Sequence, residues 1–216
     1  MWRSFVAAHS GRCTEDLLTA LILLIRHAAH AQLGNVLSGR IPGIGLSSEG
    51  RTQAERIASR LDGLAIDAVH SSPLQRAQET AFAIIAHRPE LSVETVPELQ
   101  ELDFGDWAGQ SLAELAEDPQ WDRWNTVRAN ARPPGGESMA QAQQRAWTHV
   151  EHAAEAFPGG AVVMVTHCDI IRAVVAKVLG MSLNLFHRME VDPATISRLV
   201  VGHWGAKVLS LNETCP

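Results

Sequence analysis

Two short apolar runs, "LILLI" at 21–25 and "AVVMVTH" at 161–167, constrain this chain more than any other feature. Both are rich in branched residues and neither alternates with polar ones, which is the pattern of a strand buried on both faces. "IDAVHSS", 66–72, reads as a weaker third strand. Helical patterns separate the three. After Gly50, the residues Ala54, Ile57, Ala58 and Leu61 recur on one helix face, with Glu55, Arg56, Ser59 and Arg60 opposite. Residues 74–87, 138–157 and 169–179 repeat this amphipathic spacing, and "ATISRLVVG" followed by "AKVLSLN" adds two late strands. Strands alternating with helices predict an α/β sandwich with a mostly parallel central sheet.

At 216 residues with 46% hydrophobic content the chain can bury one sizeable core. Residues 21–216 are therefore read as a single domain, with the Pro/Gly cluster "RPPGGES" a loop rather than a linker. Residues 1–20 are read as a loosely attached extension. The run "LLTALILLI", 17–25, has the length of a signal-peptide core, but Glu15 and Asp16 sit badly beside it and cleavage after it would remove the first strand. It is also far short of the ~20 apolar residues of a membrane helix.

A net charge of -6 argues against a nucleic-acid or anionic-membrane surface, either of which needs a dense basic footprint. Cys13, Cys168 and Cys215 are odd in number and lack metal or redox spacing, which fits a reducing, cytoplasmic setting without disulfides.

Ligands of open α/β sheets bind beyond the carboxyl ends of the strands, so the polar residues there carry the functional reading. The first strand ends in Arg26-His27, the second in "SSPLQRAQET" and a later one in "VTHCDIIR". Ser72 is expected to cap a helix starting at Pro73, with Arg76 one turn inside it, where its guanidinium and the free backbone N–H groups can meet an anion. His167 ends its strand and Asp169 can start the next helix. Each feature alone also suits an ordinary capped helix or a hydrogen-bonded core histidine. Two His and two Arg converging on one sheet edge suit a phosphoryl group.

"LIRHA", "SSPLQRAQETA", "ELDFGDWAG", "PPGGES" and "VVMVTHCDIIRAVV", in that order, resemble the successive motifs of the histidine phosphatase superfamily, whose fold is that of the phosphoglycerate mutases. The resemblance spans roughly residues 21–200 and implies a three-layer α/β/α sandwich. By the same resemblance His27 is the covalent nucleophile, Arg26, Arg76 and His167 line the phosphate pocket, and Glu101 is the proton donor. From the residues alone, Glu98 and Asp103 compete with Glu101.

The chemistry accounts for these residue types. A neutral imidazole attacks phosphorus and splits one hard hydrolysis into two easier steps. Guanidinium groups neutralise phosphoryl oxygens and disfavour imidazolium. An acid must release the leaving alcohol and later, as carboxylate, take a proton from water. No step calls for a metal or cofactor, and the expected partner is a small phosphorylated substrate, with a homodimer left open.

Three positions depart from the family pattern: Ala28 replaces the usual Gly, His30 a common Ser or Thr, and Asn35 lies two residues late. Arg40, in "SGRIPGIGLSSEG", is expected to reach the pocket as a substrate contact. Between Trp107 and Pro133, Trp121, Trp124, Arg123, Arg128 and Arg132 either form a partial lid or pack as a helix from Pro119. The expected activity is hydrolysis of small phosphomonoesters. The competing readings are a phosphoglycerate-type mutase, a catalytically weak phosphate-binding module, and a metal protein using His27, His30, His167 and Cys168.

Overall fold

The structure, a computed structural model, describes residues 19–215. Among these residues one six-stranded sheet has the order β3-β2-β4-β1-β5-β6. Its strands are β1 (Thr19–Arg26), β2 (Ala68–Ser71), β3 (Val93–Thr95), β4 (Ala161–Thr166), β5 (Ile196–Gly202) and β6 (Gly205–Glu213). Strands β3, β2, β4 and β1 run parallel, and β5 and β6 complete the sheet antiparallel. The helices that matter to the site are α1 (Ser48–Arg60), α2 (Gln75–Ile85), α3 (Leu112–Leu115), α4 (Pro119–Thr126), α5 (Met139–Ala156) and α6 (Cys168–Val178).

The alternation of side chains along β1 shows why this is three layers. Ala20, Ile22 and Leu24 point into one core with α5 and α6, while Leu21, Leu23 and Ile25 point into the other with α1 and α2. A strand apolar at every position is stable only with a helical layer on each face. The sandwich and its mostly parallel sheet are those the sequence predicts.

Strand β1 begins at Thr19, two residues before the expected edge of the N-terminal extension. The rest of that extension, with Cys13, lies outside the described residues. Helix α5 starts where expected, Ser138 and Gln141 forming a reciprocal capping box. Helix α2 does not start at Pro73: it begins at Gln75 after Leu74, with no side-chain cap. Ser72 instead accepts the Leu74 N–H at 3.3 Å and turns its hydroxyl toward His167.

Candidate active site

Parallel pairing sets three polar residues side by side. Arg26 pairs with Thr166 and Ser71 with Val165, so His27, His167 and Ser72 each stand one step beyond the paired carboxyl ends of β1, β4 and β2. Backbone bonds hold that edge: His27 N–H donates to Thr166 O at 2.9 Å and Ser72 N–H to Val165 O at 2.9 Å. Ala28 is fully buried, its N–H donating to Thr80 Oγ1 at 3.1 Å. Its φ is not positive, so alanine serves here without strain.

Arg76, 2% exposed, comes from α2 into the middle of this edge. It donates from Nε to His27 Nε2 at 3.3 Å, and from Nη2 to Gly39 O at 2.7 Å and His167 Nδ1 at 3.3 Å, while its buried Nη1 has no partner. A guanidinium only donates, so the lone pair of His27 must lie on Nε2. The ring proton then sits on Nδ1 and is given to the Ala28 carbonyl oxygen, 2.8 Å away. By the same logic His167 carries its proton on Nε2 and donates to Ser72 Oγ at 2.8 Å. Arg26 donates from Nη1 to Val191 O at 2.7 Å, and its buried Nε is unpartnered. The pocket over these groups has a volume of 170 Å³ and is also lined by His30, Glu101, Phe104, Cys168 and Asp169. Unpaired guanidinium nitrogens in a concave polar site are what an anion with several oxygens would satisfy.

The electrostatics suit that role. Burial first, then the charge of Arg76, keep His27 far below the usual histidine range and therefore neutral, against the pull of its bond to Ala28 O. Burial and Arg76 do the same to His167. His30, whose ring centroid is 5.5 Å from that of His27, is lowered to about 4 by burial and the two arginines. Glu101 moves the other way. Burial, then the charge of Asp169, raise it to about 7, against the Leu102 N–H bond and the two arginines. Its Oε2 lies 3.9 Å from His167 Nδ1. The pocket thus pairs an imidazole that stays unprotonated with a carboxyl group that holds its proton near neutrality.

Glu101 is also the acidic residue of its motif that reaches the pocket. Glu98 is exposed, and Asp103 accepts the Gly105 N–H at 3.0 Å with its side chain 43% exposed. The Glu101 backbone is clamped from outside. Its carbonyl oxygen accepts from Arg40 Nε at 2.7 Å and Arg145 Nη2 at 3.1 Å, and Glu137 Oε1 accepts from both arginines at 2.6 Å.

Arg40 is accordingly not where it was expected. It does not line the pocket, because its guanidinium is bonded to Glu137 and the Glu101 carbonyl. The role of Glu137 and Arg145 was not readable from the chain, since Arg40 lies 97 residues from Glu137 and the Glu101 carbonyl 44 residues from Arg145. The tryptophans also settle as packing. Trp124 is fully buried and Trp121 meets Trp107 edge-on at 5.3 Å, so α4 belongs to the core rather than to a lid. Among the described residues no cluster of three or more His, Cys, Asp or Glu side chains is arranged to hold a metal ion.

A three-layer sandwich with two buried imidazoles, two guanidinium groups and one raised carboxyl at the strand ends defines an α/β protein built to handle phosphoryl groups. The chain belongs to the histidine phosphatase superfamily (branch 1), whose family model matches residues 22–214. It is 28% identical to the adenosylcobalamin/alpha-ribazole phosphatase of Escherichia coli, over 88% of this chain and 94% of that protein. It is 31% identical to phosphoserine phosphatase 1 of Hydrogenobacter thermophilus, over 90% and 92%. Its fold superposes with a TM-score of 0.81 on a mycobacterial glucosyl-3-phosphoglycerate phosphatase, 27% identical, covering 91% of this chain and all of that one.

Proposed function

We propose that this chain hydrolyses small phosphomonoesters through a covalent phosphohistidine on His27. The observation that carries the proposal is the His27 ring itself: buried, neutral, its Nδ1–H committed to Ala28 O and its Nε2 lone pair facing Arg76. A phosphoryl group bound by Arg26 and Arg76 would take the place of the Nε2 contact and present phosphorus to that lone pair. Nε2 forms the bond to phosphorus, the ester oxygen leaves, and Glu101 gives it a proton. Water then attacks the phosphohistidine, Glu101 as carboxylate accepts the water proton, and the N–P bond breaks to restore neutral His27 and inorganic phosphate. Ser72 can donate as well as accept, which supports the opposite tautomer of His167, with Nδ1–H turned to a phosphoryl oxygen as charge shifts. The three relatives named above are phosphatases by name, which favours hydrolysis over isomerisation. A mutase must also shield its intermediate from water, and no residue between Ala108 and Arg132 is among those lining the pocket.

Free thiols at Cys168 and Cys215 and the lack, among the described residues, of a helix able to cross a membrane agree with a cytoplasmic setting. The test is phosphate release from nitrophenyl phosphate and glycerol phosphate with and without chelator, beside phosphorus NMR of a phosphoglycerate incubation. Chelator-insensitive release, outrunning isomer exchange, is expected. Faster isomer exchange would make it a mutase, and no release a phosphate-binding module.

A further inference from the structure

The pocket holds a second carboxylate, which beyond its charge acting on Glu101 takes no part in proton transfer in the proposed reaction. Asp169 stands in the first turn of α6 and lines the same pocket as His27 and Glu101. Its Oδ2 accepts from Arg128 Nη1 at 3.2 Å. Arg128 is itself held in place: Nη2 donates to Asn125 Oδ1 at 2.6 Å, and its guanidinium lies 4.7 Å from the Trp124 ring centroid and 4.1 Å from that of Phe186. Asp169 is therefore fixed through one oxygen, while Oδ1 takes no bond among the described residues. A carboxylate oxygen so placed accepts from a hydroxyl or an ammonium.

The cations of the lining are equally telling. Among the described residues the only guanidinium groups there are Arg26 and Arg76, both committed to the phosphoryl group. Arg128 is engaged by Asp169 and Arg40 by Glu137, and apolar wall comes from Leu33, Val36, Leu37 and Phe104. Among the lining residues a second anionic group on the substrate would find no cation beyond Arg26 and Arg76, and would be desolvated beside Asp169.

We propose that Asp169 determines specificity, and that the substrates are phosphomonoesters of small neutral or cationic alcohols that donate to Asp169 Oδ1, rather than phosphorylated acids. The proposal rests on the phosphomonoesterase reading of the same site.

Three esters of matched size test it: aminoethyl, hydroxyethyl and carboxymethyl phosphate. Their affinities are measured by calorimetry in His27→Ala protein, which lacks the proposed nucleophile, with and without Asp169→Asn. One charge-assisted hydrogen bond gained against one anion left unpaired predicts carboxymethyl phosphate binding about tenfold or more weakly than aminoethyl phosphate. Asp169→Asn should bring that ratio toward one in protein that still binds inorganic phosphate. Equal or tighter binding of carboxymethyl phosphate overturns the proposal, as does a preference that survives Asp169→Asn in protein that still binds phosphate. If the Asn variant does not fold, the order in His27→Ala protein alone decides. Turnover of nitrophenyl phosphate by the unaltered enzyme separates the two readings. Turnover with the ester order reversed sinks only the specificity, and the expected order without turnover sinks only the hydrolase.

Discussion

Glu101 owes its chemistry to its surroundings. An exposed glutamate would be ionised at neutral pH and have no proton to give, whereas burial and Asp169 raise this one to about 7. The required protonated form is present below about pH 7 and lost above it, so kcat/KM for alkyl phosphates should decline as pH rises through 7. His27 is required neutral, and its depressed value puts the acid limb well below the ordinary 6.5. Glu101→Gln should remove the decline above pH 7 and lower kcat/KM on glycerol phosphate by roughly 10²–10⁴, the usual worth of a positioned acid. Nitrophenyl phosphate, whose leaving group needs no proton, should lose far less. Equal losses on both esters, or an unchanged pH profile, would move the acid role elsewhere.

At the level of elements, the loop that follows His27 depends on how closely α1 approaches it. Ala29 O accepts from the Ser47 backbone N–H at 3.0 Å and from Ser47 Oγ at 3.2 Å. Only a glycine fits at position 50, where a Cβ would stand 1.9 Å from Ala29 O. Gly50→Ala must therefore push α1 off the loop that carries His27, with an expected cost of about 3 kcal/mol in urea unfolding and a marked loss of turnover. Gly43, at φ 77° with open space around it, is the comparison: Gly43→Ala should cost only about 1 kcal/mol. Similar, small costs at both positions would contradict the close packing.

The same elements show what a chain displays on its face and what it hides. Strand β1 was legible as an unbroken apolar run, and helix α1 because its apolar residues follow a local period. Strand β3 was not, having three residues, largely exposed and paired with a single neighbour. Arg76 and His167 were found from their places at element ends. Arg40 was misread because its partner Glu137 lies 97 residues away, and Ser72 because its partner His167 lies 95 away. Hydrogen bonds across such distances leave no trace in spacing.

For the whole molecule, two helical layers hold one sheet so that strand ends from distant parts of the chain meet at a single pocket. In the proposed reaction His27 Nε2 takes the phosphoryl group before water does. The most direct measurement is the mass of the intact protein after brief mixing with nitrophenyl phosphate and an alkaline quench, followed by peptide mapping. The expected result is a mass gain of one phosphoryl group that maps to His27, is lost on acid treatment, and is absent together with turnover in His27→Ala. Wild-type turnover by His27→Ala, or a label on any other residue, would contradict it.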